Sequence, residues 1–147
     1  MNIFVGVEGY TTPSGFIVKE LCFLNSNMEF DHLLMKPPSD MLLTEVDKQT
    51  IRYTTRHLSN LSYHDGVVPY GCLDEIISKY QDCKVYTYSN AATDLLRRAM
   101  PTTIIFDCQQ LGMKMPKELP DPKCFRLHSF RYCAKAKSIA IKNFVGQ

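Results

Sequence analysis

Long apolar runs are absent from this sequence. No stretch approaches the roughly 18 apolar residues that a helix needs to cross a bilayer, so we expect no contact with a membrane. The first eight residues carry no basic side chain and are interrupted by Glu8, which argues against a secretory signal and predicts a strand. Internal repeats and low-complexity segments are also missing, which argues against a repeat architecture.

The 147 residues are enough for a hydrophobic core, and we expect a single domain over residues 1–147. The hydrophobic fraction of 45% is typical of globular proteins. Without a secretory signal, the six cysteines are expected to be reduced thiols, which predicts a location in the cytoplasm, the nucleus or both. Four of them lie among apolar residues and are predicted to pack in the core: Cys22, Cys72, Cys83 and Cys108.

Charge is distributed unevenly along the chain, although the net charge is only +2. Residues 1–113 have a net charge of −4, whereas residues 114–147 hold eight Lys and Arg against two Asp and Glu, a net charge of +6. Aromatic residues are interleaved with these cations, and a basic, aromatic segment is typical of nucleic-acid binding. The alternative interpretation is a solvated helix face, because charged surface runs are common.

Alternation of apolar and polar residues predicts three consecutive strands, and the short turns between them predict an antiparallel meander. Apolar spacing and prolines further along the chain predict helices that alternate with strands. The predicted strands cover 3–8, 16–24, 28–35, 84–88 and 103–106, and the predicted helices cover 44–56, 70–80, 91–100 and 132–144. This order predicts an α/β fold with a mixed sheet, three antiparallel strands and then alternating strands and helices, as in the RNase H-like fold.

Two segments of the chain resemble motifs of DEDDh 3′–5′ exonucleases. The strand at residues 4–9 is similar to their D-x-E motif, with Gly6 in place of the aspartate and Glu8 retained. Asn90 to Asp94, directly after a predicted strand, is similar to their N-x-x-x-D motif. The resemblance implies that Asp94 stands at the second aspartate of the catalytic cluster.

The third motif, H-x-A-x-x-D, falls on residues 128–133, where His128 is retained and Cys133 replaces the aspartate. The resemblance implies a vestigial catalytic site of Glu8, Asp94 and His128, with the histidine as general base. Two-metal phosphodiester cleavage needs several carboxylates around two Mg²⁺ ions, which prefer hard oxygen ligands. Glycine supplies no ligand and cysteine supplies a soft sulfur, so we expect a catalytically degenerate domain and not an ordinary nuclease.

The same substitutions favour a different metal. Cys124, His128 and Cys133 form a compact C-x3-H-x4-C cluster, and thiolates with imidazole select zinc over magnesium. A structural zinc site needs a fourth ligand, and Glu20 is the candidate, because a carboxylate on an apolar face needs a cation or a hydrogen-bonding partner. We expect Glu20 to lie opposite Gly6 across the hairpin. The strand face of Glu20 is predicted to include Val18, Cys22 and Leu24.

Simpler interpretations of these residues remain open. His128 and Cys133 could be ordinary core residues, because buried cysteine is common. Glu20 could pair with an arginine, or could stand as an acid beside Glu8 and Asp94. No role is assigned to the histidines without local partners, His32, His57 and His64.

The combination of Glu20, Cys124, His128 and Cys133 resembles the E-C-H-C zinc motif of the Maelstrom domain. That family has an RNase H-like fold derived from DEDDh exonucleases, lacks the acidic cluster and is associated with single-stranded RNA in the piRNA pathway. The resemblance implies a structural zinc ion, single-stranded RNA as partner and a role in gene silencing. The residues expected to contact RNA are basic or aromatic: Lys123, Arg126, Phe130, Arg131, Tyr132, Lys135 and Lys137.

Two other functions are compatible with the sequence. In the first, Glu8, Asp94 and Glu20 rebuild a site for Mg²⁺ or Mn²⁺, and the chain is an active nuclease with His128 as base. In the second, the chain is a protein-interaction module that has retained only the fold. Cleavage of labelled single strands distinguishes the first from RNA binding, and the absence of salt-dependent nucleic-acid binding favours the second.

Overall fold

The chain folds around a five-stranded mixed sheet. The computed structural model describes residues 1–39, 41–59, 61–116 and 132–146. Within these ranges the strands are β1 Asn2–Thr12, β2 Gly15–Asn25, β3 Phe30–Leu34, β4 Lys84–Thr87 and β5 Ile105–Asp107. The sheet order is β3-β2-β1-β4-β5, in which β1, β2 and β3 are antiparallel and β1, β4 and β5 are parallel. The predicted α/β class and mixed sheet are confirmed.

The helices follow the meander and then separate the parallel strands. The α-helices are α1 Glu45–Thr54, α2 Leu73–Ser78, α3 Asn90–Ala99 and α4 Ala134–Val145. A π-helical turn, Thr55–Ser59, continues α1, and a 3₁₀ turn, Tyr70–Cys72, leads into α2. Every predicted element is present, and the ends of each lie within four residues of the prediction. In the described ranges, no helix combines the length and the apolar character that crossing a bilayer requires.

The two faces of the sheet are covered by different helices. On one face, alternate residues such as Val5 of β1 and Leu21 of β2 pack against α2 and α3, where Leu96 is fully buried. On the opposite face, Phe4 of β1 packs against α4, where Ile141 is fully buried. Each such side chain contributes roughly 1.5–3 kcal/mol through its removal from water. The alternation of buried residues along β1 therefore fixes α4 on the face opposite to α2 and α3.

The pairing of β1 with β2 differs from the predicted register. Glu20 pairs with Glu8, so the prediction that it lies opposite Gly6 is wrong. The turn between the strands shifts the pairing by one residue, and a β-bulge shifts it by another. Lys19 is the additional residue at the bulge, because its neighbours on β2 pair with consecutive residues of β1.

The bulge also changes which side chains share a face. Val18 packs in the same cluster as Leu21, and not on the opposite face where strict alternation predicted it. The bulged residue Lys19 is 3% exposed. Its ammonium donates hydrogen bonds to the backbone carbonyls of Met35 and Tyr63, at 3.0 Å in each case. These bonds supply the polar partners that a buried cation requires.

The predicted burial of the cysteines is confirmed for two of the four. Cys22 and Cys108 are buried, whereas Cys72 and Cys83 are half-buried. Burial, with a smaller contribution from the negative charge of Asp107, raises the pKa of the Cys108 thiol to about 11. This thiol is therefore protonated at neutral pH and packs as a small hydrophobic group.

Asp47 attaches α1 to the turn between β1 and β2. Its buried carboxylate accepts hydrogen bonds from the Ser14 hydroxyl at 2.6 Å and from the Thr44 amide at 2.9 Å. Thr44 accepts a bond from the Asp47 amide in return, which completes a capping box at the start of α1. These hydrogen bonds, that of Ser14 first, lower the pKa of Asp47 from 3.8 to about 2.

We expect Asp47→Ala to lower the free energy of unfolding at neutral pH and to flatten its dependence on acid pH. Because the folded pKa lies below 3.8, ionised Asp47 stabilises the fold above about pH 4, and this contribution is lost as the pH falls toward 2. Urea unfolding across this pH range measures the effect. Glu45→Ala is the matched control, because the exposed Glu45 carboxylate contacts the exposed Lys48. Identical pH profiles for the two variants would contradict this account of α1.

Candidate functional site

The candidate site lies where the parallel strands end. Open α/β sheets bind ligands at the carboxyl ends of their parallel strands, where neighbouring connections diverge. A hollow of about 430 Å³ opens at this edge, with Glu8 of β1, Ser89 after β4 and Lys137 of α4 in its wall. Thr54 and Leu58, from α1 and the π-helical turn, line the same hollow.

The retained carboxylate of the first motif, Glu8, is paired with a lysine of the protein itself. Lys137 lies in the first turn of α4, and its ammonium contacts Oε1 of Glu8. Glu8 is only 9% exposed, and the side chain of Lys137 is 20% exposed. In a two-metal nuclease such a carboxylate faces a divalent cation. In this protein the Glu8 carboxylate faces the ammonium of Lys137, a residue of α4.

Gly6 allows α4 to approach β1 closely. A Cβ atom built on Gly6 would overlap the backbone carbonyl of Ala134, the first residue of α4. The exonuclease motif has an aspartate at this position, and its side chain would occupy the volume that α4 fills, in a closely packed interior. The glycine at position 6 and the position of α4 are therefore a single structural feature.

Glu20 connects three elements through one buried carboxylate. Its side chain is fully buried, and Oε1 accepts a hydrogen bond from the Ala134 amide at 2.7 Å. Oε2 lies 2.6 Å from Nε2 of His32 on β3. The first amides of a helix lack partners within it and carry the positive end of its dipole, so a carboxylate here stabilises the helix. Glu20 of β2 thus holds the start of α4 and binds β3 at the same time.

His32 is the site residue that the sequence analysis missed. It pairs with Cys22 across β2 and β3, which makes it the diagonal neighbour of Glu20. Diagonal neighbours on one face of an antiparallel pair are within reach of long side chains. The signal was present in the sequence, because Glu20 was expected to need a partner and the next strand of the meander carries a histidine. The observed partner is a histidine and not the arginine considered as one alternative.

Two of the four predicted zinc ligands lie in the described part of the chain. Cys133 is 1% exposed and directly precedes Ala134, whose amide binds Glu20, so the backbone of Cys133 lies at the junction of α4 with β2. Cys124 and His128 lie outside the described residues. Among the residues that are described, no three His, Cys, Asp or Glu side chains come together to hold a metal ion. The buried carboxylate and thiol have the chemistry that zinc prefers.

The second predicted aspartate does not line the same hollow as Glu8. Asp94 is exposed on α3 and borders a neighbouring hollow of about 620 Å³, together with Arg97 and Arg98. Phe16 and Ala91 line both hollows and separate the two carboxylates. The predicted partnership of Glu8 and Asp94 around shared metal ions therefore has no common cavity in the described residues.

Asp107 is a carboxylate at this edge that the motifs did not identify. It ends β5, is 7% exposed, and accepts hydrogen bonds through Oδ1 from the amides of Ser89 at 3.1 Å and Gln109 at 3.0 Å. Its Oδ2 is buried and has no hydrogen-bond partner in the described part of the chain. Ser89 has a φ of 111°, a strained value for a residue with a side chain, and it caps α3 through Ala92.

The predicted RNA-binding residues fall into two groups. Lys123, Arg126, Phe130 and Arg131 lie outside the described residues. Tyr132 is half-buried and lines the hollow beside Lys137. The ammonium of Lys135 lies 4.6 Å from the centre of the Phe30 ring, a cation–π contact. Lys135 and Lys137 therefore both make contacts within the protein.

We expect Gly6→Ala to lower the free energy of unfolding by about 1–3 kcal/mol, because overpacking displaces α4. Gly6→Asp should cost more, since it also buries a charge beside a backbone carbonyl. Chemical denaturation measures both. Gly71→Ala is the control, because a Cβ there meets no atom within 4 Å, and its effect should stay within about 0.5 kcal/mol. A Gly6→Ala variant as stable as the wild type would show that α4 does not depend on this glycine.

Comparison of the chain with models of protein families, with curated protein sequences and with solved structures finds no match. The function must therefore be argued from the residues of the site itself.

Proposed function

We propose that the chain is a catalytically degenerate, exonuclease-like domain of RNase H-like fold that binds single-stranded RNA and is stabilised by zinc, like the Maelstrom domain. The observation that carries the proposal is the ion pair of Glu8 with Lys137, next to the close approach of Ala134 to Gly6. Protein atoms lie where the resemblance implies metal ions, which supports contact with RNA over two-metal cleavage.

The topology supports the fold part of the proposal. The sheet order β3-β2-β1-β4-β5 combines an antiparallel meander with parallel β1, β4 and β5. This is the order that the three motifs require, because it puts the first motif on the central strand and the second motif directly after its parallel neighbour. The third motif ends at the start of α4, which packs on the same central strand.

The charge of the hollow supports RNA binding without cleavage. An acidic cluster without metal ions would repel phosphate groups, because like charges in a shielded cleft interact strongly. Lys137 neutralises Glu8, and these two are the charged residues in the described wall of the hollow. The Tyr132 ring lines the same wall and offers a surface on which a base can stack. The excess of six positive charges after residue 113 adds the attraction for phosphates.

Zinc would stabilise the junction between α4 and the sheet. Glu20 and Cys133 would hold the ion together with Cys124 and His128, and the donors would be one carboxylate, one imidazole and two thiolates. The metal would supply structural cohesion and no chemistry. His32, which contacts Glu20 in the structure, would orient the carboxylate toward the ion, as hydrogen-bonded partners of metal ligands commonly do.

An active nuclease is the second candidate function. The buried Oδ2 of Asp107 favours it, because this carboxylate lies at the end of β5 and has no hydrogen-bond partner among the described residues. Asp107 and Glu8 would supply carboxylates for Mg²⁺ or Mn²⁺ if Lys137 moved away from Glu8. The RNA experiment separates the two functions.

We expect the chain to bind a labelled single-stranded RNA at low salt and to leave it intact in the presence of Mg²⁺. Arg126→Glu combined with Arg131→Glu should weaken binding and lower the salt slope by about 0.7 for each lost phosphate contact. Lys79→Glu with Lys84→Glu is the control, since these exposed lysines lie outside the basic segment and the charge change is equal. Fluorescence anisotropy at several salt concentrations measures binding, and gel electrophoresis measures cleavage.

Three outcomes of that experiment are informative. Binding without cleavage, sensitive to Arg126 and Arg131 but not to the control, supports the proposal. Digestion that needs Mg²⁺ and is lost in Glu8→Ala establishes the nuclease instead. A wild type that binds no RNA even at low salt overturns the proposal and favours a protein-interaction module.

We expect purified protein to contain about one zinc ion per chain, because four suitable ligands are proposed at one junction. Cys124→Ser or Cys133→Ser should release the ion and lower the melting temperature, since structural zinc binding is coupled to folding. Elemental analysis and melting curves with and without a chelator measure this. Cys83→Ser is the control, because the half-buried Cys83 lies outside the proposed ligand set. Stable, zinc-free wild-type protein that ignores chelators would contradict the zinc site.

A further inference from the structure

A second cavity, of about 820 Å³, lies beside α1 and the π-helical turn. Its wall combines cationic and aromatic side chains: Lys48, Arg52, Tyr53, Arg56, His57 and Tyr63. No Asp or Glu belongs to its described wall. All of these residues belong to the range 1–113, whose net charge is −4. The cavity is therefore a local basic feature in an acidic part of the chain.

The cations of the cavity follow the helix in a row. Lys48, Arg52 and Arg56 are spaced by four residues, which aligns them on one side of a helix. Among the described residues, neither Arg52 nor Arg56 forms a salt bridge, and both are exposed. Lys48 lies 3.4 Å from the exposed Glu45 carboxylate, and exposed pairs of this kind are weak. The two guanidinium groups are therefore available to an anion.

The aromatic rings of the cavity are available as well. Tyr53 is 59% exposed although its ring is large, and its centre lies 4.8 Å from that of the His57 ring. Tyr63 is fixed from behind by an edge contact to the buried Tyr10, with ring centres 5.5 Å apart. Exposed rings beside cations are the combination with which proteins bind the bases and phosphates of single-stranded nucleic acids.

The π-helical turn brings the cavity next to the hollow at Glu8. Thr54 and Leu58 line the hollow, whereas Thr55 and Arg56 line the cavity, so one wall separates the two. A π-helical turn is rare and is frequently found at functional sites. Here neighbouring side chains of the segment 54–58 line either the hollow at Glu8 or the cavity, on opposite sides of the same backbone.

We propose that the cavity binds one nucleotide unit of a nucleic acid, with the phosphate against Arg52 and Arg56 and the base against Tyr53 and His57. Guanidinium groups bind phosphate through paired hydrogen bonds, and the neighbouring rings match the flat face of a base. An acidic protein segment would use the cations and leave the rings unused. The inference rests on the proposed function for its ligand, and a free nucleotide shares the same chemistry as a nucleotide within a strand.

The test uses the full chain with two probes, a labelled 12-nucleotide single-stranded RNA and free uridine monophosphate. Arg52→Gln with Arg56→Gln should weaken RNA binding about tenfold and lower the salt slope by about 1.4, the value for two lost phosphate contacts. Lys79→Gln with Lys84→Gln is the control of equal charge change. Tyr53→Ala should weaken binding roughly 5- to 150-fold, the range for one lost stacking contact, and Tyr53→Phe should retain it. Melting curves of each variant verify the fold.

The outcomes separate this inference from the proposed function. Weaker RNA binding in the Arg52 and Arg56 variant than in the control supports the cavity as a subsite for the strand. Equal RNA binding in the two variants overturns the inference and leaves the proposed function intact. If the wild type binds uridine monophosphate through Arg52 and Arg56 but binds no RNA, the cavity is a site for free nucleotides and the proposed function fails. Binding of neither probe overturns both.

Discussion

The fold depends on how the first turn of α4 is attached to the sheet. The carboxylate of Glu20 accepts a hydrogen bond from the Ala134 amide inside the protein, where an unpaired amide would cost several times more than at the surface. Gly6 provides the space for the Ala134 carbonyl. A hydrogen bond on one side of the helix start and a missing side chain on the other determine where α4 lies. Its apolar residues then pack against β1, β2 and β4 on one face of the sheet.

The same attachment determines the chemistry of the site. Once α4 lies against β1, its fourth residue, Lys137, reaches Glu8, and the charge that would attract a metal ion is neutralised from within. A polar group in the core that is fully satisfied makes a structure unique, whereas one that is half satisfied makes it unstable. Glu20 is such a group, because one of its oxygens accepts a hydrogen bond from the Ala134 amide and the other lies beside Nε2 of His32.

Much of this fold could be predicted from the sequence, because apolar alternation and helix spacing are local signals. The order of strands and helices along the chain, the antiparallel meander and the burial of Glu20 all followed from them. The pairing of Glu20 with Glu8 did not, since a bulge is a non-local compromise between two strands and leaves no clear mark in either. His32 was missed for a different reason: its partner is twelve residues away, and the regular pairing of β2 with β3 brings the two together. The motifs also drew attention to positions at which the resemblance implies a carboxylate, and Asp107, which belongs to no motif, was overlooked.

The bulge at Lys19 corrects which face of the sheet the side chains of β2 point to. Val18 and Leu21 lie on the two sides of the bulge and are three residues apart, so strict alternation would put them on opposite faces. Because the bulge adds one residue, both face the same side of the sheet. Without the correction, Val18 would join the carboxylate of Glu20 on the side facing α4, and the apolar side of the sheet would lose a contact. The additional residue is a lysine, and its ammonium donates hydrogen bonds to the backbone carbonyls of Met35 and Tyr63. The bulge therefore also connects β2 to the segment before α2. Deletion of one residue elsewhere in β2 would move every side chain between that point and the bulge to the other face of the sheet. Deletion of Lys19 itself would leave each remaining side chain on its present face and remove only the two hydrogen bonds of the lysine.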